Sequence, residues 1–106
     1  MDARTQAKYE ARSSILKAIA HSTRLFIVEQ LSVKERCVCE LQEMIEADIS
    51  TVSRHLAVLK NAGIVQSEKR GVQVYYKLRC PCILEFLNCI ETVIKDTARE
   101  QLELMK

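Results

Sequence analysis

Residues 37–61 read Cys-Val-Cys-Glu-Leu-Gln-Glu-Met-Ile-Glu-Ala-Asp-Ile-Ser-Thr-Val-Ser-Arg-His-Leu-Ala-Val-Leu-Lys-Asn. Leu41, Met44 and Ile45 recur at helical spacing, and Glu46-Ala47 break the pattern. Asp48 then stands where a second helix needs an N-cap, because its carboxylate accepts the backbone N–H groups that a helix start leaves free. On that second helix Ile49, Val52, Leu56 and Leu59 form an inward stripe. Ser50, Thr51, Ser53, Arg54, Ala57 and Lys60 point mostly outward. Asn61-Ala62-Gly63 ends it, with Gly63 suited to the left-handed position past a helix C-terminus.

Downstream, Ile64-Val65 and the run Val72–Leu78 are rich in β-formers and flank Lys69-Arg70-Gly71. That spacing predicts a hairpin with a basic tip, turning at the glycine. Val72, Val74, Tyr76 and Leu78 alternate onto one of its faces. Two helices joined by a tight turn, the second polar on one side, followed by such a hairpin, make a winged helix-turn-helix. In that arrangement the second helix enters the major groove. It offers Ser50, Thr51, Ser53, Arg54, His55 and Lys60 to base edges and phosphates, while Lys69 and Arg70 reach the adjacent backbone.

Upstream, Tyr9, Ile15, Leu16 and Ile19 predict a first helix over residues 5–20. Leu25, Ile27, Val28 and Leu31 predict a second helix, capped by Ser22 or Thr23. Ser32–Glu35 reads as a polar connection and Arg36-Cys37-Val38 as a short strand. The last helix runs from Pro81, a favoured first-turn residue, to Leu104. It carries two adjacent apolar stripes, Ile83, Leu87, Ile90 and Ile94 beside Phe86, Cys89 and Val93. A stripe that wide packs on its own domain and on a partner.

The totals agree with one mainly α-helical domain over residues 1–106, since only two Gly and one Pro punctuate the chain. Its core would be small for a free-standing monomer of 106 residues. Charge is unevenly placed. Residues 50–79 hold Arg54, Lys60, Lys69, Arg70, Lys77 and Arg79 against Glu68 alone, whereas both flanking segments are mildly acidic. A basic middle of this kind suits a nucleic-acid footprint. No apolar run is long enough to span a bilayer and no signal-peptide pattern opens the chain, so a cytoplasmic location without membrane contact is expected.

In that compartment the five cysteines are expected as thiols. Four of them form Cys-x-Cys pairs, at Cys37/Cys39 and Cys80/Cys82. In an extended segment, residues two apart point the same way and can converge on one ion. Inside a helix they diverge by roughly 200°. Cys37 and Cys39 therefore make sense at the junction into the first helix of the motif, whose N-terminus favours thiolate and so soft metal ions. Binding there would pull on that helix and tilt the one after it. Cys82 and Cys89 share a helix face but lie about 10 Å apart along it, too far for one ion within one chain.

These residues resemble the ArsR/SmtB family of winged-helix repressors, most closely its arsenite-responsive type. The resemblance rests on Ala18-Ile19-Ala20-His21-Ser22-Thr23-Arg24-Leu25, on Cys37-Val38-Cys39-Glu40-Leu41, on Ser50 through Gly63 and on Val74-Tyr75-Tyr76-Lys77-Leu78. It implies a homodimer built on the first and last helices, bound to double-stranded operator DNA and released by an inducer. The inducer it implies is trivalent arsenic or antimony, or another thiophilic ion such as cadmium or lead, held by Cys37 and Cys39. Cys80, Cys82 and Cys89 form a secondary set, and no organic cofactor is implied. Ser22 stands where the family usually has Pro, Glu46 where Gly is common, and Gln42 where the arsenite box often has a third Cys. Residues 1–36 lack the N-terminal cysteines of the cadmium type, and Val93 and Asp96 stand where zinc-sensing relatives place ligands on the last helix.

Two other readings stay open on the residues. One is a repressor of the same fold that senses oxidants or persulfides through a dithiol/disulfide switch, for instance between Cys39 and Cys82. The other, a thiol enzyme, is disfavoured. Neither Cys pair has the two-residue spacing of a thioredoxin motif, and no βαβ pattern surrounds them.

Overall fold

The computed structural model describes residues 1–106. Helix α1 spans Ala3–Ile19 and α2 Ser22–Val33. A two-residue strand β1, Arg36–Cys37, leads into α3, Val38–Ile45, and α4 spans Ile49–Asn61. Strands β2, Val65–Arg70, and β3, Gln73–Leu78, form the hairpin, and α5 spans Ile83–Leu104. The fold is a winged helix-turn-helix, with an antiparallel sheet ordered β1-β3-β2.

Apolar spacing decides what is buried. Ile27, Val28 and Leu31 of α2, Leu41 of α3, and Val52, Leu56 and Leu59 of α4 close on one another with Ala18, Ile19, Ile64 and Val65. Gly63 takes φ +80°, which lets the chain turn directly from α4 into this core. Between α3 and α4, Glu46 adopts the left-handed conformation at φ 60° as the C-cap of α3, the position where Gly is common in the resembled family. Its N–H donates to the Gln42 carbonyl, so the turn stays tight without a glycine.

Several local expectations are corrected. The N-cap of α2 is His21, whose Nδ1 accepts from the Thr23 N–H at 3.1 Å, in place of Ser22 or Thr23. Helix α2 continues through Val33, so only Lys34 and Glu35 connect it to β1. Ile49, expected inward, is 54% exposed because it opens the first turn of α4 before that helix meets the core. Val72 lies in the hairpin turn and is 94% exposed, leaving Val74, Tyr76 and Leu78 to face inward. Pro81 precedes α5 in a turn instead of occupying its first turn.

Helix α5 has no buried residue, and Phe86, Ile90, Val93 and Ile94 stand exposed along it. Tyr9, Ile15 and Leu16 of α1 are exposed too. Leu16 and Ile19 of α1 and Phe86 and Ile90 of α5 line an open apolar cleft between the two helices. The radius of gyration is 16.9 Å. A compact domain of this length would have about 13 Å. The terminal helices thus extend beyond the core, each carrying some exposed apolar side chains.

Candidate nucleic-acid interface and thiol site

Asp48 caps α4 as expected, its Oδ1 accepting from the Thr51 N–H at 2.8 Å. Hydrogen bonding from Thr51, its side chain first and then its backbone N–H, holds the Asp48 carboxyl below the ordinary carboxylate range. The cap fixes where α4 begins and therefore which residues face out. Ser50, Ser53, Arg54, Ala57 and Lys60 are exposed on one side of α4, and Thr51 is half-buried at its margin. Lys69 is exposed near the hairpin tip. Together these form an outward polar and cationic surface of the kind that phosphate and base edges require.

His55 and Arg70 depart from that set. The His55 ring is half-buried, 4.5 Å between centroids from His21, and its Nδ1 accepts from Arg24 Nε at 3.1 Å. Arg24 also donates through Nη1 to the Ala18 carbonyl, so this group ties α4 to the junction of α1 and α2. Burial, then the neighbouring His21, Arg24 and Arg54, push the His55 pKa down. His55 is therefore a packing and hydrogen-bonding histidine here, not a member of the outward face. Arg70 is held by Glu35 and Glu68 and lies over the Tyr75 ring, 4.6 Å from its centroid. Its charge is locally neutralised.

The sulfurs of Cys37 and Cys39 converge, as the junction geometry predicts. Cys37 is extended, at φ −78° and ψ 160°, and Cys39 lies in the first turn of α3. They are joined as a disulfide, with Cα atoms 5.3 Å apart. This corrects the expectation that all five cysteines stand as thiols, and it joins Cys39 to Cys37 where Cys82 was one instance of a partner. Cys37 is 3% exposed, whereas Cys39 faces solvent. Cys37 also caps α3. Its Sγ accepts from the Glu40 N–H at 3.3 Å, and Glu40 Oε1 accepts from the Cys37 N–H at 3.2 Å. This is a capping box with sulfur in the place of a hydroxyl. The Cys-x-x-Glu spacing of Cys37 and Glu40 was the sequence signal for it, and sequence reasoning passed over it.

Gln73, at the start of β3, was also missed. Its amide end lies 3.5 Å from the Cys39 sulfur. No periodicity links residues 34 positions apart, so only the folded chain brings them together. Cys80, Cys82 and Cys89 are free and exposed. Cys80 Sγ lies 4.0 Å from the Gly63 carbonyl, and Cys82 precedes α5 without capping it. No three side chains among His, Cys, Asp and Glu gather into a metal-ligand group, so the secondary set is not assembled within one chain. When reduced, Cys37 and Cys39 offer two adjacent soft donors at a helix N-terminus, a set that fits a thiophilic ion.

Residues 21–67, which run from the N-cap of α2 to the start of β2, match the family model described as "Bacterial regulatory protein, arsR family". The chain is 42% identical over 67 residues to a cadmium resistance transcriptional regulatory protein CadC homolog of Staphylococcus aureus, covering 62% of this chain and 55% of that one. It is 33% identical over 89 residues to the arsenic resistance transcriptional regulator ArsR1 of Pseudomonas putida, covering 83% and 69%. The match spans about half the length of the cadmium regulator. Among solved structures it superposes, with a TM-score of 0.78 and 23% identity over 94% of this chain and 93% of the other, on a homodimeric winged helix-turn-helix DNA-binding domain from Mycobacterium bovis. No helix is long and apolar enough to cross a membrane.

Proposed function

The chain belongs to the arsR family of bacterial regulatory proteins, and on that premise we propose that it is a cytoplasmic transcriptional repressor released from operator DNA by a thiophilic ion. The inducer is trivalent arsenic or antimony, or failing these cadmium or lead, held by the thiolates of Cys37 and Cys39. The observation that carries this reading is the position of the pair. Cys37 is the cap of α3, and α3 packs through Leu41 against Val52 and Leu56 of α4. An ion on the Cys37 sulfur binds the same atom that accepts the Glu40 N–H, so ligand binding re-aims the sulfur that caps the helix. Loss of the cap loosens the first turn of α3, and α4 moves with it.

In the operator complex Ser50, Thr51, Ser53 and Arg54 face base edges, and Lys60 and Lys69 face phosphates. The active form is a homodimer paired through α1 and α5. Their exposed apolar faces support this, as does the homodimeric state of the Mycobacterium bovis domain. The regulators in the comparison are named for transcription, not catalysis, and no enzymatic step is assigned to this chain. The test is a mobility-shift titration of the reduced protein with As(III), Sb(III), Cd(II), Pb(II) and Zn(II). Wild-type protein should leave the operator, and Cys37→Ser/Cys39→Ser protein should stay bound. Release of the double variant by arsenite would reject the assigned site.

The disulfide between Cys37 and Cys39 favours a second reading in which the same pair senses oxidants. Two thiols lose two protons and two electrons to an oxidant or persulfide and form the bond. Intact-mass analysis after persulfide treatment reads this as a loss of two hydrogens confined to the peptide holding residues 37 and 39. An unchanged thiol count would dismiss it.

A further inference from the structure

Arg70 and Gln73 face each other as the last backbone partners before the hairpin turn, and so close the wing. Both meet the segment that carries the sulfurs. Glu35, two residues before Cys37, accepts from Arg70 Nη2. The Cys39 sulfur lies 3.5 Å from the Gln73 amide end. Between them, Tyr75 of β3 pairs with Cys37 on one side and Glu68 on the other, and its ring supports the Arg70 guanidinium. Residues 35–39 therefore bind one stem of the wing and touch the other at its closing pair.

We propose that the wing tip is a second output of the thiol pair, with Glu35 and Gln73 as its positioning residues. This rests on the reading of Cys37 and Cys39 as the sensing pair. A group bound to the exposed Cys39 sulfur needs the space that the Gln73 amide occupies, so Gln73 must swing away and β3 shifts at its start. Displacement of Cys37 moves Glu35, and the Arg70 guanidinium then keeps only Glu68. The wing changes both its angle and its available positive charge. This route leaves from the first turn of α3 and bypasses α4, and it acts on the element placed to touch the phosphate backbone.

The experiment follows backbone amide resonances of the full-length protein in three states: reduced with dithiothreitol, oxidised with diamide, and reduced with sodium arsenite added. Gly71, in the wing turn, reports on the wing, and Glu40 reports on α3. In wild type both amides should shift between states. In Glu35→Gln/Gln73→Ala protein the Gly71 shift should fall by about threefold or more while the Glu40 shift persists. A Gly71 amide that stays still in wild type while Glu40 moves would overturn the proposal. So would a Gly71 shift undiminished in the double variant. Operator release, followed in parallel by fluorescence anisotropy, judges the repressor reading separately. If neither arsenite nor diamide releases wild-type protein, that reading fails, and the resonances still decide the wing coupling.

Discussion

Replacing Phe86 with alanine should dissociate the proposed dimer without unfolding the DNA-reading unit. Phe86 sits on α5 beside Leu16 and Ile19 of α1, and it remains 44% exposed in the single chain. A phenylalanine presents roughly 200 Å² in all, so roughly 90 Å² awaits a partner. At about 25 cal/mol per Å² this is roughly 2 kcal/mol. A two-fold interface contains the residue twice, giving about 4 kcal/mol, or about a thousandfold in the dimer dissociation constant. The core of Leu41, Val52, Leu56 and Leu59 takes nothing from Phe86, so far-UV circular dichroism should keep its helical signal. Sedimentation equilibrium across a concentration series measures the constant, with Glu91→Ala on the same exposed helix as control. A constant unchanged within the control's scatter would refute the pairing of α1 and α5. Collapse of the circular dichroism signal would refute the separation of pairing from folding.

Two further outcomes follow from the same geometry. Because the His55 pKa is depressed, the unfolded chain binds the proton more readily than the folded one. The corresponding stability is fully present above the ordinary value of 6.5 and is lost as pH falls from there through the depressed folded value. Urea midpoints of wild type should decline over that window, those of His55→Gln should decline less, and parallel curves would contradict the assignment. Lys60→Ala and Lys69→Ala should each weaken operator and unrelated DNA alike and lower the slope of log K against log salt by about one per site. An unaltered slope would remove that lysine from the phosphate contacts.

The reading helix was legible because local chemistry and core packing agree there: Asp48 caps it, Val52, Leu56 and Leu59 fill one side, and Gly63 ends the turn behind it. Ile49 failed because periodicity assigns a face without knowing where the neighbouring helix begins. The partners of His55 and Arg70 were illegible for another reason. Each looked like a free cationic or polar donor on its own element, yet Arg24, 31 positions before His55, and Glu35, 35 before Arg70, occupy them. The convergence of Cys37 and Cys39 could be read from their spacing at a strand-to-helix junction. Their bond to one another, and the approach of Gln73, depend on sulfur oxidation and on the sheet register, and neither leaves a periodic trace.

The core that holds the helices of the DNA-reading unit together draws none of its buried members from α5; only Ile83 and Leu87 lean against it. Selection can therefore act on the outer face of α5 almost independently of folding. For a cell carrying several regulators of one fold, that independence is a means of insulation. Under the proposed pairing through α5, each could drift in the side chains that would recognise its own copy, and mixed pairs would be avoided without any change to the reading head.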